Sequence, residues 1–240
     1  MRVDTHCHIL YGVDDASKTA QQSLEMLKMA VADGVDVIMA TSHIHYKFPL
    51  NNSARFDAAV AQVHALIKEH HLPIRVIKAG EIYFAHETEG TLDDDRLITM
   101  GDSRCVLTEL PWRIDVRDTQ PEVVLQALLD RGYQPIIAHP ERYEVVHEDY
   151  ERLYRWKEMG CLLQVNRTSL LGVDFMAAAN VTAQRILADD LLDVVGSDAH
   201  RTTLPRVPIL SDVHELLVSQ LGKQRADELC GDTARKLFNL

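Results

Sequence analysis

Cysteine is scarce: Cys7, Cys105, Cys161 and Cys230 are scattered through the chain and form no Cys-x-x-Cys pair. A disulfide framework is not expected in a chain of 240 residues, and a reducing cytoplasm fits better. Cys7 and Cys105 fall in strand-like runs, where packing is the expected role. No apolar stretch approaches the length needed to cross a bilayer, so membrane insertion is not expected. The N-terminus runs straight into Met1-Arg2-Val3-Asp4-Thr5-His6, without the charged and apolar regions of a secretory leader. Basic residues are in deficit, 25 Lys and Arg against 36 Asp and Glu, for a formal net charge of -11. That balance disfavours a nucleic-acid or anionic-membrane surface. An anionic substrate stays compatible, because bound divalent cations reverse the local field, and some of the counted carboxylates would then be ligands. There is no low-complexity linker and no repeat beyond a strand–helix rhythm.

What is present is a hydrophobic content of 46%, enough for one substantial core and one domain over residues 1–240. Short β-like runs at 2–5, 35–41, 75–79, 105–108, 134–138, 161–165 and 192–195 alternate with amphipathic runs. Leu24, Leu27 and Val31 share a helical face that Gly34 ends. Phe56, Val60, Val63 and Ile67 form the next stripe. Thr119-Gln120-Pro121-Glu122 reads as a capping box before Val124, Leu125 and Leu128. Leu153, Trp156 and Met159 precede Gly160, a further helix covers about 176–189, and helices fill the tail after Val207. Exposed faces on those tail helices could pair two copies, so a homo-oligomer is compatible with the pattern. Regular alternation implies right-handed parallel βαβ units. Seven units suit an α/β barrel, with an open doubly wound sheet as the alternative.

The residues at the strand ends carry chemistry. The first strand leads to His6 and His8, the second to His43, the third to Glu81 and the fourth to Glu109. The fifth leads to His139 and the seventh to Asp198 and His200. Only the sixth ends without a strong ligand, at Asn166-Arg167. In a parallel barrel these ends share one mouth. Imidazole and carboxylate are ligands for zinc, manganese and iron. His6 and His8 alternate around Cys7, so both imidazoles point to one face and the thiol points away. The Asp14-Asp15 pair also reads as an ordinary acidic turn before a helix. So many ligands exceed the four of a structural zinc site and imply two or three ions, which suits hydrolysis of phosphate esters. Arg142 lies beside His139, Arg206 lies beyond His200, and Arg201 is a rival to Arg206. A guanidinium can hold phosphate oxygens through two parallel bonds.

On these residues the sequence resembles the PHP (polymerase and histidinol phosphatase) superfamily. It is most similar to the bacterial PHP-type tyrosine-protein phosphatases of capsule and exopolysaccharide operons. The matching segments are His6-Cys7-His8-Ile9-Leu10, Gly12-Val13-Asp14-Asp15, Thr41-Ser42-His43, Gly80-Glu81-Ile82, Glu109-Leu110-Pro111, Ile137-Ala138-His139-Pro140-Glu141-Arg142-Tyr143 and Ser197-Asp198-Ala199-His200. Ala16 stands where that family often has Gly, and the loop after His43 does not align. The resemblance implies a distorted (β/α)7 barrel of PHP type with a three-metal site. Manganese is the leading ion, and iron, zinc, cobalt and magnesium are alternatives. It implies that His6, His8, Glu81 and Asp198 surround one ion. Glu81, Glu109 and His139 would hold a second, and Asp15, His43 and His200 a third. Arg142 and Arg206 would hold the phosphate. The implied substrate is the phosphorylated tail of a partner tyrosine kinase that controls polysaccharide export.

The expected reaction is direct in-line hydrolysis by metal-activated water, with the arginines holding the phosphoryl oxygens. A thiolate phosphatase loop is not expected, and a nucleophilic cysteine is not required. The leaving phenolate has a pKa of about 10, so an added general acid is less critical than for an alkyl ester. His45 could assist, or could be an ordinary loop histidine. The alternatives are the same chemistry on a small molecule such as histidinol phosphate, and a non-catalytic metal-stabilised scaffold that binds phosphopeptides.

Overall fold

The computed structural model describes residues 1–84, 95–113 and 120–240. At its centre is one sheet of seven strands in sequential order. They are β1 (Val3–Cys7), β2 (Val37–Ile44), β3 (Arg75–Tyr83), β4 (Cys105–Glu109), β5 (Gln134–Ala138), β6 (Leu162–Asn166) and β7 (Val194–Gly196). Every neighbouring pair is parallel, as repeated right-handed crossovers require. Past β7 the chain comes back to β1. The Asp198 amide donates to the His6 carbonyl at 2.7 Å and the His8 amide to the Ala199 carbonyl at 2.9 Å, and Cys7 bridges Ala199. The sheet therefore curls into a nearly closed (β/α)7 barrel, and the open doubly wound alternative fails.

The helices wrap this barrel: α1 (Ala20–Asp33), α2 (Ser53–Glu69), α3 (Pro121–Asp130), α4 (Glu144–Glu148), α5 (Arg152–Glu158), α6 (Arg167–Leu170), α7 (Ala177–Ala188), α8 (Ser211–Leu221), α9 (Lys223–Asp227) and α10 (Thr233–Leu237). Thr19 caps α1 by accepting from the Gln22 amide, and Gly34 ends it at φ 81°, a left-handed conformation that suits glycine. The expected capping box does not start α3. Its N-cap is Gln120 with no side-chain cap bond, and Pro121 supplies the preset first-turn geometry instead; Thr119 lies outside the described residues.

Period-two alternation splits the strands between two cores. Val37, Met39, Ala79, Leu107, Ile136, Ala138 and Val194 face inward, where Ala234 and Phe238, in and just after α10, pack on them. Ile38, Ala40, Val76, Val106, Ile137, Leu163 and Val195 face the helix layer with Leu27, Phe56, Leu125, Trp156 and Ile186. Each of the larger side chains among them, Val, Leu, Ile, Met and Phe, contributes about 1.5–3 kcal/mol on burial. On β2 and β4 the inward face changes character along the strand. It is apolar at the N-terminal end and polar at the C-terminal end, as in Val37, Met39, Thr41, His43 and in Cys105, Leu107, Glu109. Four of the nine candidate ligands, His6, His43, Glu81 and Glu109, thus lie in the strands themselves, and the others follow in the loops. β2 and β3 run on through His43 and Glu81.

Candidate metal centre

The ligand face of β1 depends on an irregularity. Asp4 pairs with Ile38 but Cys7 with Ala40, so β1 holds one residue more than β2 over this stretch. Such bulges re-aim side chains. Here the result is His6 Nε2 only 3.1 Å from His8 Nε2, with the Cys7 side chain in the outer core. Both Nε2 atoms lie 3.3 Å from Glu81 Oε2 and 3.6–3.7 Å from Asp198 Oδ1. Ligands about 2.1 Å from one ion sit ~3.0 Å apart in an octahedron and ~3.4 Å apart in a tetrahedron, so these spacings match the edges of a coordination shell.

Glu81 is the hub. Its Oε1 lies 2.8 Å from His139 Nε2 and its Oε2 lies 2.9 Å from His43 Nδ1. Glu109 Oε2 is 3.8 Å from that same His43 nitrogen. Three groups hold ligand atoms within 4.8 Å of one another: His6, His8, Glu81; His43, Glu81, Glu109; and His8, His43, His200. Asp15 lies at the open side, 3.7 Å from both His43 Nε2 and His200 Nε2. All nine sequence-predicted ligands therefore converge. The groups overlap: His43 also lies beside Glu81 and Glu109, and His8 beside His43 and His200.

The residues fit divalent ions on their own chemistry. His43 Nδ1 and Glu81 Oε2 are buried and 2.9 Å apart, yet among the described residues neither has a partner in hydrogen-bond geometry. His139 Nδ1 is likewise buried without a partner. Ligand atoms that converge outside hydrogen-bond geometry suit a common cation. Burial opposes charge on His6, but Glu81 and Asp198 outweigh it and raise its pKa to about 9. His43 is raised to about 10 against burial, chiefly by Glu81. Glu81 itself is driven well below the carboxylate range, despite burial, by His6 and His43. The carboxylates thus create a field that favours positive charge at this point.

One strand, β5, carries its ligand out of phase. His139 follows the inward Ala138, and a left-handed φ of 35° turns it. Asp198 adopts φ 50°. Non-glycine residues held there cost of order 1–3 kcal/mol and cluster at functional sites. Tyr143 braces the fifth strand end, its hydroxyl donating to the Ala138 carbonyl at 2.6 Å and accepting from the Leu110 amide at 3.0 Å.

The sixth strand supplies an outer layer that sequence reading missed. His6 Nδ1 meets Gln164 Oε1 at 2.9 Å, Gln164 Nε2 donates to Asn166 Oδ1 at 2.9 Å, and Asn166 Nδ2 donates to Asp198 Oδ2 at 2.9 Å. Asp198 as a carboxylate only accepts, so the whole chain has one direction, and His6 must carry its proton on Nδ1. Its Nε2 lone pair then faces the other ligands. Asp14 does the same for His8, accepting from Nδ1 at 2.8 Å, and it also accepts from the His43 amide at 3.1 Å. Polar residues two apart at the end of β6 were the available signal for Gln164 and Asn166.

Both arginines reach Asp198. Arg142 Nη1 donates to its Oδ2 at 2.7 Å, while Arg142 Nε and Nη2 hold Asp174 at 3.2 and 2.6 Å. Arg206 Nη2 donates to Asp198 Oδ1 at 2.5 Å. Arg142 is buried, Arg206 is partly exposed, and both line a cavity of about 500 Å³ above the ligands. Arg201 is exposed and does not line it. One Cys-x-x-x-x-x-Arg spacing does occur, Cys161 to Arg167, but its residues run along β6. Burial pushes the Cys161 thiol up to about 12, and Arg167 pairs with Asp212. All four cysteines are buried.

Comparison with known proteins places this geometry. A family model described as capsular polysaccharide synthesis, CpsB/CapC, matches residues 2–239. The chain is 32% identical to tyrosine-protein phosphatase YwqE of Bacillus subtilis, over 82% of this chain and 77% of that one. It is 28% identical to tyrosine-protein phosphatase CpsB of Streptococcus pneumoniae, over 98% of each. A solved structure from work on YwqE and CpsB, described as unique metal-dependent tyrosine phosphatases, superposes with a TM-score of 0.89 at 29% identity, covering 99% of this chain and 94% of that one.

Proposed function

This chain belongs to the CpsB/CapC family of capsular polysaccharide synthesis proteins, and on that premise we propose that it is a metal-dependent protein-tyrosine phosphatase acting on the phosphorylated tail of a partner tyrosine kinase. The observation that carries the reading is three overlapping ligand groups beneath a cavity also lined by two arginines. The named activities of its relatives support the reaction class. His6, His8, Asp15, His43, Glu81, Glu109, His139, Asp198 and His200 are the proposed ligands, for two or three divalent ions with manganese first. Ions bound there supply Lewis acidity and make a nucleophile from water at neutral pH.

The chain's own residues do the rest. Arg206 offers a partly exposed guanidinium to the phosphoryl oxygens. Arg142 commits three N–H groups to Asp174 and Asp198, which leaves two of its five for the substrate. Gln164, Asn166 and Asp14 hold ligands in orientation, so little reorganisation is needed when charge shifts in the transition state. A phenolate leaves with a pKa of about 10 and does not oblige a general acid. His45 suits that economy: partial burial, His43 and Lys47 lower its pKa to about 4, so it is neutral at pH 7.

Phosphate release from a phosphotyrosine peptide and from histidinol phosphate, measured side by side after Mn²⁺ loading and after chelation, tests the reading. Chelator-sensitive turnover of the peptide is expected. Preference for histidinol phosphate would overturn the substrate, and tight peptide binding without turnover would overturn the enzyme in favour of a scaffold.

A further inference from the structure

The cavity above the ligands has an aromatic rim that the metal chemistry does not use. Phe175 lies between α6 and α7, is 70% exposed and lines the cavity above the ligands. It does not sit on a loose loop. The preceding Asp174 accepts from Arg142 and from Thr168 at 2.9 Å through Oδ2, and from the Met176 amide at 3.0 Å through Oδ1. The Asp174 amide is itself held by Asn180 at 3.1 Å. Residues on both sides of Phe175 are therefore tied, and the ring is presented on a fixed turn.

The neighbours of that ring point to an aromatic guest. Trp112 stacks beside it, with centroids 6.4 Å apart and planes at 26°, and the Arg142 guanidinium lies 5.4 Å from its centroid. Trp112 is anchored by donation to Glu109 Oε1 at 3.1 Å and meets His139 edge-on at 6.3 Å. The wall thus runs without a break from the ligands to the rim. From the β2 and β3 side, His45 contacts Tyr46 and Tyr83 at 4.2 and 4.3 Å and lines the same cavity. The side chains of His6, His8, Glu81 and Asp198 are 0–2% exposed, so a phosphate approaches them through the cavity that Phe175 and Trp112 line.

We propose that Phe175, backed by Trp112, is the specificity-determining residue that takes the phenyl ring of a phosphotyrosine as its phosphate enters the ligand cluster, and so selects aryl over alkyl phosphate esters. This rests on the phosphatase reading above and deepens it. Ring–ring contact and burial of an exposed phenyl act together on the aryl ester and are lost for a short alkyl ester, whose peptide backbone would have to descend past the rim. Removing the ring is expected to cost about tenfold in aryl affinity, which is about 1.4 kcal/mol.

The test compares binding of phenylphosphonate and methylphosphonate to the Mn²⁺-loaded chain by calorimetry, for wild type, Phe175→Ala and Phe175→Leu. Kinetics on phosphotyrosine and phosphoserine peptides of one sequence run in parallel. Wild type should favour phenylphosphonate about tenfold. In Phe175→Ala that preference should disappear, to a ratio of about one, with KM for the phosphotyrosine peptide raised and the phosphoserine peptide unaffected, while Phe175→Leu falls between. An unchanged phenyl-to-methyl ratio in Phe175→Ala overturns the proposal, as does an equal loss for both ligands. The phosphonates need no turnover. A wild type that binds them with the expected preference but hydrolyses neither peptide would refute the phosphatase reading and leave the slot standing.

Discussion

Replacing Gly196 by alanine is the most searching perturbation of this site, because conformation does not require glycine there and space does. Gly196 is not among the glycines with positive φ. A Cβ built on it would lie 2.5 Å from His6 Cβ, 2.9 Å from Gln164 Nε2 and 3.1 Å from the His6 amide nitrogen. Unstrained carbon contacts are about 3.5–4.0 Å, so the overlap with His6 is about 1 Å or more. Neither neighbour can swing aside. His6 Cβ moves only with the β1 backbone, which the Asp198 amide holds at 2.7 Å, and Gln164 is committed to His6 and Asn166. Overpacking of this kind costs about 1–3 kcal/mol, or a fall in Tm of about 2–12 °C for a chain of this size. The displaced groups are a ligand and its outer partner, so Mn²⁺ affinity should also fall about 10–100-fold. Gly160→Ala is the control. Its φ of 100° disfavours alanine but no atom lies within 4 Å of the new Cβ, so stability should fall while metal affinity does not. Urea unfolding with and without Mn²⁺, with calorimetric Mn²⁺ titration, reads both quantities. Wild-type metal affinity in Gly196→Ala would refute the packing account of how β1 and β7 set the ligand cluster.

Two further outcomes follow from the outer layer and the field. Gln164→Leu keeps the volume of the side chain but cannot accept from His6 Nδ1, so Mn²⁺ affinity should weaken about 10–100-fold with the barrel intact by circular dichroism; unaltered affinity would mean that the amide chain through Asn166 is incidental. The ion-free chain should bind Mn²⁺ with release of protons near neutral pH, since His6 and His43 have pKa values raised to about 9 and about 10. By linkage, groups whose folded pKa lies above the unfolded value of about 6.5 stabilise fully below that pH and lose the contribution as pH rises through the folded pKa. The chelated protein should therefore lose Tm between about pH 7 and 10, while the loaded protein loses less; titration in buffers of different ionisation heat that detects no proton release would refute the assignment.

Much of this was legible in one dimension because it is local. Alternation with period two marks the inward face of a strand, so the sequence alone located the seven strands, the βα rhythm, and eight residues at strand ends that meet in space; Asp15 entered through the family resemblance. His6 and His8 share a face by that rule, although the bulge in β1 decides which face it is, and Gly34 as a helix stop illustrates another. The strand boundaries were read short at β2 and β3, because a polar run ending in His43 or Glu81 looks like loop until the barrel buries it. His139 is out of phase with Ala138, and only a backbone turn into the left-handed region brings it inward.

What tertiary structure alone decided are relations between residues far apart in the chain. Gln164 meets His6 across 158 positions and Asp4 meets Ser197 across 193, and no sequence period encodes such distances. They exist because β7 closes back on β1, which turns Gln164 and Asn166 from two polar residues on an apparently ligand-free strand into the support of two ligands. The same closure makes Gly196 a steric necessity. It gathers Trp112 and Phe175, 63 positions apart, at one mouth. Local pattern determines which face a side chain takes; barrel closure determines what it finds there.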